Sequence, residues 1–165
     1  MRKISDLIHE FSEEWMSFLE SSRKINNNKS FFVIDSQKST YKLFNTDITN
    51  RIKSFIDDER YKVDSSLGQT NISAIPWIAI LDQEITSTVQ KEFYIVYLFS
   101  RNAKKVFLSI GIGAQQFVDV FGENQKCTKK IFSAKKRLLG YCEFLKEGHS
   151  PVEIELSNSK DFDFN

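Results

Sequence analysis

Apolar side chains recur at helical spacing near the start of the chain. Ile4, Leu7, Ile8, Phe11, Trp15, Phe18 and Leu19 share one side, while Asp6, Glu10, Glu13, Glu14 and Glu20 fall largely on the other. The spacing predicts an amphipathic helix over 4–24 with an acidic outer face, ended by the Asn run at 26–28. A short strand is expected at 31–34. From 41 to 56, Phe44, Ile48, Ile52, Phe55 and Ile56 again line up on one helical face, which predicts a second helix packed on a core.

The pattern then changes period. Tyr61–Val63 leads through a polar stretch, Ser65 to Asn71, into the β-rich run Ala74–Leu81. Two more such runs follow, Glu92–Phe99 and Lys104–Ile110, joined by short polar connections. Together they predict an antiparallel meander over residues 61–111. Pro76 places an edge or a bulge near its own position, because proline has no N–H to give a ladder. Gly111 and Gly113 close the meander, a helix is expected over 124–145, and Val152–Leu156 reads as a last strand. The fold class is therefore α+β, an antiparallel or mixed sheet flanked by amphipathic helices, in one domain over 1–165.

Composition narrows the class further. The chain has 165 residues, 41% hydrophobic and 27% charged, which fits a single packed domain rather than a disordered tail. Lys plus Arg number 23 and Asp plus Glu 22, for a formal net charge of +1. Overall charge thus gives no argument for a polyanionic partner, and any basic patch must be local. Cys127 and Cys142 lack metal-ligand spacing and read as reduced thiols, which suggests the cytoplasm. Neither a signal peptide nor a membrane span is expected.

Candidate catalytic arrangements are weak. Nothing places His9 or His149 beside a cysteine, so a nucleophilic pair has no support. Asp57-Asp58-Glu59 reads as a solvated face. Asp82 with Glu84, or Glu153 with Glu155, could be imagined as nuclease metal ligands, but neither pair is followed at the nuclease spacing by a lysine. No phosphate-binding Gly-Lys-Ser/Thr loop is present, and Gly111-Ile112-Gly113-Ala114 lacks the third glycine of a dinucleotide fingerprint. The expectation is a chain that binds rather than catalyses, with no cofactor and no metal.

A basic helix face is the better signal. Lys126, Lys129, Lys130, Lys135, Lys136 and Arg137 fall within 126–137, a stretch without an acid. On a helix, all of these but Lys135 occupy a sector of ~120° opposite Cys127, Ile131, Ala134, Leu138 and Cys142. Such a face suits phosphates, although a merely solvated face fits as well. Lys104 and Lys105, at a hairpin tip, form a second small basic site.

The stretch from Tyr61 to about Phe117, roughly a third of the chain, resembles the N-terminal DNA-binding domain of McrB-type restriction proteins. The matching residues are Gly68 and Asn71 in a turn, then Ile75-Pro76-Trp77-Ile78-Ala79. Tyr94, Tyr97-Leu98-Phe99 and the strand from Leu108 to Gly111 complete the set. Thr70 departs from the family pattern, standing where a second glycine is usual.

The resemblance implies a reader of modified cytosine in duplex DNA that extrudes the base into a pocket. Trp77, Tyr94 and Leu98 would form the pocket wall, and the loop Ser66–Asn71, with Gly68 and with Gln69 at its tip, would enter the duplex. Gln69 would hydrogen-bond to the orphaned guanine. Without the resemblance, a tryptophan in a β-run reads as core. Tyr94 and Tyr97 are three apart and so face opposite ways; Tyr94 shares the face of Leu98. Phosphate contacts fall to Lys104, Lys105, Lys129, Lys130, Lys136 and Arg137. The resemblance further implies an AAA+ GTPase motor in the same parent chain, from which this domain would be excised, and a separate nuclease subunit. Such a system would serve bacterial phage defence. The alternatives are a reader of an unmodified sequence in a related restriction system, and a protein–protein assembly domain.

Overall fold

The computed structural model describes residues 2–26, 29–68 and 72–141. Helix α1 (Ile4–Ser22) leads into a hairpin of β1 (Arg23–Asn26) and β2 (Lys29–Phe32). A second helical stretch has three parts, α2 (Ser39–Lys42), a π-helical turn (Leu43–Ile48) and α3 (Thr49–Lys53). Four strands follow: β3 (Tyr61–Gly68), β4 (Ile72–Asp82), β5 (Phe93–Phe99) and β6 (Val106–Ile112). They pair antiparallel in the order β3-β4-β5-β6, so the fold is α+β with the expected meander. Helices α4 (Gln115–Phe121) and α5 (Gln125–Tyr141) pack on each other and end the described chain. The expected strand at Val152–Leu156 lies outside the described residues.

Three boundaries differ from the sequence reading. Helix α1 stops at Ser22, where Arg23 turns extended (ψ 132°), so the asparagines fall at the β1–β2 hairpin rather than at a helix end. Phe55 does not join the buried stripe. The second helix ends at Lys53, which leaves Phe55 in the following turn, 61% exposed beneath the Arg51 guanidinium. Strand β3 runs on to Gly68 through residues expected to be loop, because Ser65 and Ser66 pair with Ile78 and Trp77 and Leu67 is fully buried. Pro76 sits where the β3–β4 register breaks, between the pairs Ser66–Trp77 and Gly68–Ile72. The bulge, not the edge, explains it, since β4 is an inner strand.

One face of the sheet carries the main core. Leu67, Ile78 and Phe99 pack there against Phe11, Trp15 and Phe18 of α1 and Phe44, Ile48 and Ile52 of the second helical stretch. Phe11, Phe44 and Phe99 meet as three rings, with centroids 4.6 Å (Phe11–Phe44), 5.1 Å (Phe44–Phe99) and 5.6 Å (Phe11–Phe99) apart. Trp15 is also fully buried, and its indole N–H donates to the Arg101 carbonyl at 2.7 Å, tying α1 to the β5–β6 turn. At the opposite end of the sheet Arg60 bonds both carboxylate oxygens of Asp82 and lies 3.1 Å from Glu84. The Arg60 guanidinium holds the Asp82 carboxyl below the usual carboxylate range.

Phe44 and Phe55 therefore separate by environment despite sharing a predicted stripe. Phe44→Ala should cost ~3–5 kcal/mol and Phe55→Ala no more than ~0.5 kcal/mol in urea unfolding. Equal losses would show that the second helix runs on through Phe55.

Candidate nucleic-acid interface

Alternation along the strands sends a second set of side chains to the face away from α1. Trp77, Ala79 and Leu81 of β4 join Tyr94, Val96 and Leu98 of β5 in a separate small cluster, with Val89 from the connecting loop against it. Tyr97 goes to the opposite face and packs on the main core. Across the sheet, Ser66, Trp77, Leu98 and Phe107 are successive register partners, forming one continuous row. Sequence reasoning misses Phe107. Pairing the β5 and β6 runs through their short connection sets it opposite Leu98.

The two tryptophans contrast. Trp15 is sealed and its N–H is satisfied, whereas Trp77 is half-buried. Among the described residues nothing accepts the Trp77 N–H. It thus offers an indole face and a free donor at the surface.

The ends of the strands gather the other candidates around this row. β3 ends and β4 begins at the same end of the sheet where β5 passes to β6. Ser66 and Gly68 therefore lie at the same end as Lys104 and Lys105. The Ser66 hydroxyl accepts the Gly68 N–H at 2.9 Å, and Gly68 has φ 114°, a conformation that side-chain-bearing residues rarely adopt. Gln69 and Asn71, with Thr70, lie outside the described residues. The lysine turn is held by its own polar groups. The Ser100 N–H donates to the Lys105 carbonyl (2.8 Å), the Ser100 hydroxyl accepts the Lys105 N–H (3.0 Å), and Asn102 Oδ1 accepts the Lys104 N–H (3.1 Å).

Tyr94 is not beside Trp77. It pairs with Gly111, and the row of Ala79, Val96 and Ser109 lies between, so the Tyr94 backbone stands ~13 Å along β5 from Leu98, the register partner of Trp77. Trp77, Leu98 and Tyr94 thus share one face and one cluster, with a row of smaller side chains between Tyr94 and the other two. The Tyr94 ring lies flat over Gly111, where an added Cβ would sit 2.3 Å from it. Burial pushes the Tyr94 phenol above its ordinary pKa, so it stays neutral.

Asn124 caps the start of helix α5, its side-chain oxygen accepting the N–H groups of Lys126 (2.8 Å) and Cys127 (3.1 Å). Cys127 is buried and Ile131, Ala134 and Leu138 are half-buried, while Lys126, Lys129, Lys130, Lys135, Lys136 and Arg137 are all exposed. Cys142 and His149 lie outside the described residues. None of these cations, nor Lys104 or Lys105, forms an ion pair among the described residues. The ammonium groups of Lys126 and Lys130 lie 5.3 and 5.7 Å from the Phe121 ring centroid. Phe132, 65% exposed, lines a shallow hollow with Gln125, Thr128, Lys129 and Ser133, a feature the sequence pattern does not signal. Among the described residues no three His, Cys, Asp or Glu side chains are grouped to hold a metal, and no helix is long and apolar enough to cross a membrane.

The seat of Tyr94 gives a direct test of this geometry. Gly111→Ala should cost ~1–3 kcal/mol by forcing the ring aside, and Tyr94→Ala should relieve most of that cost in a double-mutant cycle. Additive losses would show that the ring does not rest on Gly111.

Comparison with known proteins agrees with the strand motifs. No curated protein sequence and no solved structure matches the chain. A family model described as MrcB-like, N-terminal domain, matches residues 20–162. The match takes in the whole meander, the second helical stretch, α4 and α5, but only the last residues of α1, and the chain belongs to the MrcB-like N-terminal domain family.

Proposed function

We propose that this chain is a DNA-reading domain without catalysis of its own, recognising modified cytosine in duplex DNA by extruding the base onto the Trp77 face. The observation that carries the reading is the state of Trp77. It is a half-buried indole with an unused donor, on the sheet face away from the main core, at the end where Gly68 and the Lys104-Lys105 turn converge. Family membership supports the same direction.

Extrusion costs a few kcal/mol of stacking and pairing, which the protein must replace. Stacking on one aromatic ring is worth ~1–3 kcal/mol, and Leu98 and Phe107 extend the apolar surface on the far side of Trp77 from Ser66. A methyl group on the base adds only ~1 kcal/mol on burial, so discrimination against unmodified cytosine is modest unless the contact is tight. Gln69 would fill the gap in the duplex and bond the unpaired guanine. Lys104 and Lys105, with Lys129, Lys130, Lys136 and Arg137 of α5, would take the phosphates. Tyr94 serves as a second apolar support rather than as a stacking partner beside Trp77. In this reading the domain works within a McrB-type restriction assembly, delivering a GTP-driven AAA+ motor and a nuclease subunit to marked DNA.

Matched short duplexes carrying cytosine, 5-methylcytosine or 5-hydroxymethylcytosine test the proposal. One modified duplex should bind ~5-fold or more tighter than the unmodified one, and Trp77→Ala should abolish that preference while leaving the fold intact. Equal binding to all three would discard modification readout in favour of an unmodified target sequence. No binding at low salt would discard the DNA reading and favour an assembly domain. The lysines make a separate prediction. Replacing Lys104 and Lys105 together with Gln should lower the slope of log affinity against log salt by up to ~0.9 for each phosphate that is no longer neutralised, on modified and unmodified duplexes alike. An unchanged slope would remove that turn from the phosphate surface.

A further inference from the structure

Among the described residues, Glu92 and Ala103 hold a left-handed backbone without being glycine, each with φ 54°. Their surroundings differ. Glu92 is exposed in the β4–β5 connection, whereas Ala103 is 1% exposed and belongs to the main core with Phe11, Trp15 and Phe99. At such a φ a β-carbon crowds its own backbone, so a side chain persists there only where its surroundings over-determine it.

The Ala103 N–H donates to the Ser100 carbonyl at 2.7 Å, closing Ser100-Arg101-Asn102-Ala103 into a β-turn. Glycine is favoured at the fourth place of the commonest such turn. Here alanine stands there, with its methyl group inside the core. Two residues earlier, the Arg101 carbonyl accepts the Trp15 N–H at 2.7 Å. A hairpin tip ordinarily ranks among the loosest parts of a fold. This one is pinned to the core at two points, a methyl and a carbonyl, and Lys104 and Lys105 follow directly. The Ser100 hydroxyl, which accepts the Lys105 N–H, also donates to Asn102 Oδ1 at 2.9 Å, so the polar groups of the turn close on one another.

We propose that Ala103 is a positioning residue for the phosphates of a bound duplex. Its buried methyl, with the Trp15 N–H, holds the β5–β6 turn in one orientation, so that Lys104 and Lys105 meet the backbone without an ordering step. This role rests on the DNA reading above and adds to it the device that makes those two lysines effective. Ordering a loop on binding subtracts from affinity, so a turn ordered beforehand binds more tightly through the same charges. Glycine at 103 would close the turn without strain. It would also leave the methyl site in the core empty and the turn held by the Trp15 anchor alone. The alanine is therefore explained by anchoring the turn, not by closing it.

Two variants of the full chain test this, Ala103→Gly, which removes the methyl, and Trp15→Phe, which keeps an aromatic ring but loses the N–H. In the free protein each should speed amide exchange at Lys104 and Lys105 by ~10-fold or more, while the β4 amides stay slow. On the matched short duplexes at low salt each should weaken binding ~3–10-fold. Once Lys104 and Lys105 are both replaced by Gln, Ala103→Gly should cost no further affinity, a coupling that a general loss of stability would not produce. Unchanged exchange at the two lysines, or an undiminished loss from Ala103→Gly in the Gln background, would overturn the proposal while leaving DNA binding intact. A wild-type chain that binds no duplex at low salt would overturn the DNA reading and this role with it.

Discussion

The contact of Phe11, Phe44 and Phe99 is the constraint on which the rest of the molecule depends. It joins α1, the π-helical turn and β5, elements far apart in sequence, with each ring fully buried or nearly so. Once Phe99 is committed to that side, alternation sends Leu98 to the other, and the β4–β5 register takes Trp77 with it. The free face of the sheet is thus a consequence of the core rather than a separate design. Trp15 extends the same logic, since its bond to the Arg101 carbonyl fixes the turn that presents Lys104 and Lys105.

The free face is suited to its proposed work because it is incompletely sealed. Ala79 and Val96 are buried among the larger side chains around them, while Trp77 stays half-open. A buried indole with a satisfied N–H can only support; one with an open face and a free donor can exchange solvent for a base. The cations complement this by position. They stand at the strand ends and along α5, without ion pairs among the described residues, and so are available to phosphates even though the chain as a whole carries a net charge of only +1.

Much of this is legible in the sequence where periodicity is long and unambiguous. Helix α1, the meander and the split of Tyr94 from Tyr97 follow from apolar spacing alone. The sequence is silent where local pattern yields to hydrogen-bonding geometry. Phe55 matches the helical stripe, yet the helix stops at Lys53. Ser65 and Ser66 look like loop, yet pairing with Ile78 and Trp77 makes them strand. Trp77 and Tyr94 look like neighbours because both are aromatic and share a face. Only the register shows that a row of smaller side chains separates them.

The central claim is that Trp77 itself touches the recognised base, and fluorescence can report it because the chain has only two tryptophans. In a folded Trp15→Phe variant, Trp77 is the sole indole emitter. Its emission should be quenched on saturation with a 5-methylcytosine duplex and change far less with the unmodified duplex, as stacking on the extruded base requires. Saturated binding of both duplexes with unaltered Trp77 emission would contradict it.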